Sequence, residues 1–183
     1  MTKQLSPYEA VWLKPKRVFE RIRDEGPGQE LMILPLVILS MILSLEVTLR
    51  NQPFLSINSV WMFLGFGVIA FLVMVVLIFV VQPWLITGAG RIFDGQASHR
   101  QIANVLAVST IPLSAVFTYQ ILALCFGAIP SIQYFQGRPI LQLWTIGLTV
   151  YGIGICQRMP VAFSLVSLFL AELPFLVLAF WMR

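Results

Sequence analysis

Five apolar runs, each about long enough to cross a bilayer as a helix, dominate this chain at about 31–49, 60–87, 102–129, 139–157 and 161–182. A hydrocarbon core of about 30 Å needs about 20 helical residues. The runs are solidly apolar rather than alternating, which argues against a β-barrel, and a spanning backbone must satisfy its own hydrogen bonds, so helices are the default. Composition agrees: 58% of the 183 residues are apolar and 11% charged, with a mean hydropathy of +0.87. A soluble domain has about 45–50% apolar and about 25% charged residues. A water-soluble fold of this size cannot hide the excess, and a disordered chain would need low hydrophobicity. The expectation is an all-α polytopic membrane bundle: a cytoplasmic head over 1–30, then one membrane domain over 31–183 with five transmembrane helices.

Charge is segregated. Residues 1–30 hold six basic and five acidic residues, and the other 153 hold six basic and three acidic. No basic face suits nucleic acid, and no secretory signal pattern opens the chain. With the N-terminus inside, the head, Arg91, Arg100 and Arg158 place nine basic residues on the cytoplasmic side. Only Arg50, Arg138 and Arg183 lie outside, so the positive-inside rule favours that orientation and an outer C-terminus. Trp61, Trp84 and Trp181 sit near span ends, as an interfacial aromatic belt expects.

Within the head, Ser6-Pro7-Tyr8-Glu9 reads as a helix start. Lys14-Pro15 breaks and restarts the helix. From Pro15 to Asp24, Val18, Phe19 and Ile22 share a face, with Lys16, Arg17, Glu20 and Arg21 flanking or opposing it. Such a helix is expected to lie in the membrane interface with its apolar side down and its cations on anionic headgroups. The alternative is a short helix packed under the bundle with its charges solvated. Binding of a partner protein is compatible with both.

The most patterned connection is Gly88-Ala89-Gly90-Arg91-Ile92-Phe93-Asp94-Gly95-Gln96-Ala97-Ser98-His99-Arg100-Gln101. Asp94-Gly95 reads as a tight turn, and Ser98 with Gln101 as a capping box launching the third span. Phe93 stands where a dinucleotide loop needs glycine, and no Gly-Lys-Ser/Thr is present, so the loop is no phosphate cradle. It is expected to be a compact cytoplasmic corner. The alternative is recognition of a lipid headgroup or a protein through Arg91, His99 and Arg100.

This loop, followed by Ile111-Pro112 in the third span, resembles the Yip-domain family (Ypt-interacting proteins). So does the amphipathic opening from Trp12-Leu13-Lys14-Pro15 to Phe19 and Ile22 ahead of five spans. The resemblance covers nearly the whole chain. It implies a five-span helical bundle with a cytoplasmic N-terminus. Eukaryotic members sit in Golgi and endoplasmic reticulum membranes and associate with Rab-type GTPases and with one another. The head of about 30 residues is shorter than theirs and is more similar to that of the short bacterial members. A bacterial inner membrane is therefore expected, with a Golgi or endoplasmic reticulum membrane as the alternative.

Intramembrane charges are functional candidates by default. Glu46 and Arg50 stand four apart near the outer end of the first span, the favourable order for a local ion pair; a transport role is the alternative. Glu172 lies eleven residues into the fifth span, about 16 Å deep at the helical rise. Its i±4 neighbours are Leu168 and Leu176, and Pro174 frees the carbonyl of Leu170. Ser40, Ser44, Ser109, Thr110, Thr145 and Thr149 match its depth. Glu172 reads either as a neutral acid bonded between helices or as a proton or cation site. Pro112 and Pro174 mark expected kinks. Small residues at four-residue spacing, such as Ser40, Ser44 and Thr48, suit close helix packing.

Catalytic chemistry is missing. His99 is the single histidine, too few for a zinc site or a triad. Cys125 and Cys156 fall at opposite membrane faces, so no disulfide is expected. No metal, cofactor or enzymatic role is assigned. The expected role is a non-enzymatic organiser that binds membrane lipids, other membrane proteins or itself. A small permease or channel using Glu172, or a lipid-handling protein, is the alternative. Tags on the two termini are expected to be protected on opposite sides of a sealed membrane in protease-accessibility measurements; a shared side overturns the five-span reading.

Overall fold

Ser98 and Gln101 launch the most buried of the described helices. Ser98 Oγ accepts from the Gln101 N–H at 3.3 Å, and Gln101 Oε1 accepts from the Ser98 N–H at 2.8 Å. This is the expected reciprocal capping box. In this computed structural model the backbone is described for residues 12–25, 33–51, 60–113 and 138–181, and side chains for 12–24, 33–48, 61–113 and 139–174. The described elements are helical: α1 Pro15–Glu25, α2 Ile33–Asn51, α3 Val60–Val76, a π turn Leu77–Val81, α4 Gln82–Arg91, α5 His99–Ser109, a 3-10 turn Ile111–Leu113, α6 Arg138–Gln157 and α7 Val161–Trp181.

The helices pair α2 with α3, α4 with α7, α5 with α6 and α6 with α7, while α1 lies against α5 and α6. The core is built from Ile102, Val105 and Val108 of α5 and Ile153 of α6, joined by Leu36 and Ile86. Outside it, Trp61, Leu64, Ile69, Leu72, Val76 and Trp84 face outward along α3 and α4. So large an exposed apolar face belongs in lipid. Two described stretches, Trp61–Arg91 and Pro139–Gln157, are long and apolar enough to cross a bilayer, while Ile33–Thr48 and Val161–Pro174 are shorter apolar helices. The 31 residues of the first measure about 46 Å at the helical rise.

The head helix forms where expected, but its apolar face is covered by protein. Phe19 and Ile22 are buried in the core. The expectation that this face rests on lipid is therefore corrected to docking against α5 and α6, with Lys16, Arg17 and Arg21 exposed on the other side. Three side chains of α5 and α6 fasten it. Gln101 Nε2 donates to the carbonyls of Ile22 at 3.4 Å and Arg23 at 3.0 Å, carbonyls left over at a helix end. Cys156 Sγ donates to the Phe19 carbonyl at 3.7 Å. Phe19 meets Tyr151 edge to face at 6.2 Å between ring centroids.

Gly152 makes this docking possible. A Cβ there would stand 2.7 Å from both Phe19 Cε1 and Val105 Cγ1. One glycine that weakens α6 as an isolated helix thus admits two neighbours. The third span is helical to Ser109 and then tightens into the 3-10 turn around Pro112. The rest of that span, with Cys125, lies outside the described residues. α7 continues through Pro174 to Trp181.

Gln101→Glu keeps the acceptor of the capping box but removes both donors to α1. The expected cost to α1 docking is about 1–3 kcal/mol. Hydrogen exchange checks it: α1 amides should exchange faster while those of α3 stay unchanged.

Candidate functional site

Two polar joints stand out, one at the turn-bearing end of the bundle and one at the depth of Glu172. At the end, α4 stops where Asp94 takes φ +60° and Gly95 N–H bonds back to the Gly90 carbonyl at 2.9 Å. α6 stops the same way: Arg158 takes φ +58° and Met159 N–H reaches the Gly154 carbonyl at 3.0 Å. Both are left-handed helix stops that use non-glycine residues. Asp94-Gly95 is thus the tight turn expected.

Gln157, the last residue of α6, threads between them. It is buried; its Nε2 donates to the Ile86 carbonyl at 3.3 Å, and its backbone carbonyl accepts from Gln96 N–H at 3.4 Å. Its side chain occupies the space where a Cβ on Gly90 or Gly95 would stand. The glycines of the loop therefore make room for an amide. Gly88 faces open space. Phe93 stacks on Phe163 at 5.2 Å and ties the corner to α7. Arg91, His99, Arg100 and Arg158 are exposed around it. α1 shares this end, since Gln101 and Cys156 hold it there. Lys16 stands 3.8 Å from Glu20. Arg23 donates to Asp24 at 2.8 Å, and this hydrogen bond holds the Asp24 carboxyl below its ordinary value.

At the second joint, Gln82 Nε2 donates to Glu172 Oε1 at 2.6 Å. Gln82 opens α4 directly after the π turn, and its own N–H bonds to the Leu77 carbonyl, five residues back. Pro83 comes next and has no N–H to offer the preceding turn. The wider turn inserts one residue and swings the helix beyond it by about 100° around the axis. Gln82 thereby meets Glu172 on α7.

A cavity of about 480 Å³ adjoins this pair. Its polar wall is Gln82, Glu172, Thr110, Thr145 and Thr149, and its floor includes Leu39, Ile78, Leu106 and Leu168. Three of the six hydroxyl residues matched to Glu172 by depth therefore gather there. Ser40, Ser44 and Ser109 are buried but do not line it. Gln82 was missed by sequence reasoning, although an amide before a proline within an apolar run was the available signal. Gln157 was missed because nothing local marks it. Glu46 is half-buried, and the Arg50 side chain lies outside the described residues. Among the described residues no group of three metal-binding side chains comes together.

The Yip1 domain family model matches residues 10–182. No curated protein and no solved structure matches the chain.

The glycine geometry separates two neighbours. Gly90→Ala forces Gln157 out of its slot and is expected to destabilise the fold by about 1–3 kcal/mol. Gly88→Ala adds helix propensity in open space and is expected to stabilise it by up to about 1 kcal/mol. Thermal unfolding in detergent checks both signs.

Proposed function

The chain belongs to the Yip1 domain family, and on that premise we propose that this helical membrane protein is a non-enzymatic organiser. It would hold other membrane components through one stiff, basic end of its bundle. One observation carries the reading. The head helix is clamped to α5 and α6 by its apolar face, which leaves Lys16, Arg17 and Arg21 outward at the same end as Arg91, His99, Arg100 and Arg158.

A docked helix presents its cations in a fixed pattern, and a fixed pattern loses less conformational freedom when a partner binds. On an anionic leaflet each nearby cation adds about 1 kcal/mol of attraction. This end would be cytoplasmic, with five crossings beyond it and the C-terminus outside, in a bacterial inner membrane. A Golgi or endoplasmic reticulum membrane is the alternative setting. Partners would be anionic lipid headgroups, membrane proteins or a second copy of the chain.

A second reading, a small permease or lipid-handling protein, is favoured by the cavity beside Glu172. Flux in reconstituted vesicles that is lost in Glu172→Gln would support a permease.

Crosslinking in native membranes followed by mass spectrometry tests the organiser. Defined partners should be captured by the native chain, and recovery should fall at least fivefold when Lys16, Arg17 and Arg21 are changed together to Glu. A consistently solitary monomer, or capture indifferent to that reversal, overturns it.

A further inference from the structure

We propose that the cavity beside the Gln82–Glu172 pair binds a lipophilic amine, an ammonium group carried on a hydrocarbon body. Its volume of about 480 Å³ falls within the range of about 300–1,000 Å³ usual for small-molecule sites.

The polar wall calls for a donor. Thr110 Oγ1 already donates to the Ala107 carbonyl at 2.9 Å, Thr145 Oγ1 to Leu141 at 2.8 Å and Thr149 Oγ1 to Thr145 at 2.8 Å. Each hydroxyl therefore offers the cavity lone pairs rather than its proton. Gln82 gives one N–H to Glu172 Oε1; among the described residues no hydrogen bond engages Oε2. Acceptors thus predominate.

The unpartnered acid suits a cation. Gln82 orients the carboxyl but brings no positive charge to it. Among the described residues no Lys, Arg or His lines the cavity. A lone carboxylate away from water is costly until a proton or cation accompanies it. A metal ion is a poor fit, because hard cations want six or more oxygens around them and most of this wall is hydrocarbon.

The entrance calls for a lipophile. Ile146 on α6 and Leu165 and Phe169 on α7 line the cavity while remaining 49%, 53% and 58% exposed. All three lie well inside their helices, so the cavity opens sideways between α6 and α7, towards the surroundings that these apolar faces suit. A hydrophobic amine partitions there and can present its ammonium to Glu172 while its chain covers the leucine and isoleucine floor.

The proposal does not rest on the organiser role, whose test reads the separate, basic end. It is tested with the whole protein in lipid nanodiscs and a diazirine-bearing dodecylamine. Photolabel should fall on α6 and α7 peptides around Ile146 and Phe169. Dodecylamine should compete for labelling at least tenfold better than dodecanol or dodecanoate. Labelling should drop at least tenfold in Glu172→Gln. It should drop equally in Thr149→Trp, which keeps the carboxylate and fills the cavity. Equal competition by dodecanol in the native protein overturns the proposal even if neither variant folds. Labelling that survives either folded variant, or that scatters over the outer face of α3, overturns it as well.

Discussion

Where water is excluded, a polar side chain without a partner is costly. That constraint explains why three glutamines, rather than charged residues, make the decisive joints. Gln101 fastens α1 to α5, Gln157 fastens the end of α6 to α4, and Gln82 fastens α4 to α7. An amide carries donor and acceptor together and no net charge. It can cross-link helices without the desolvation penalty of a buried ion pair.

The joints depend on space as much as on hydrogen bonding. Gln157 fits only because Gly90 and Gly95 carry no Cβ, and Phe19 only because Gly152 carries none. Glycine lowers the stability of a helix taken alone. Here the loss in α4 and α6 is the condition for close packing. The same sequence feature, a scatter of glycines, thus reads as weakness locally and as contact globally.

What the sequence made legible divides along that line. The apolar runs, the capping box at Ser98 and the Asp94-Gly95 turn are local, and local chemistry specifies them. The face formed by Val18, Phe19 and Ile22 was also legible, but its covering was not. Periodicity identifies an apolar stripe and is silent on whether lipid or protein meets it. The answer lies in Gly152, Cys156 and Gln101, residues remote in the chain that converge only on folding. The cavity was half legible for the same reason. Depth along a helix selected Glu172 and six hydroxyl residues, of which Thr110, Thr145 and Thr149 line the cavity and Ser40, Ser44 and Ser109 do not. The rotation that brings Gln82 to them comes from a π turn that no apolar pattern encodes.

The choice of glutamine at that joint constrains anything the site can do. A lysine opposite Glu172 would neutralise the carboxylate and close the joint as an internal ion pair. A leucine would leave the acid without orientation. The amide does something between the two: it fixes one oxygen at 2.6 Å and brings no charge of its own. Whether a proton or a bound cation then accompanies Glu172 depends on what reaches the cavity between α6 and α7. A joint that needed only to hold helices together had better options among apolar residues. The retained carboxyl therefore argues for an occupant that the bundle itself does not supply.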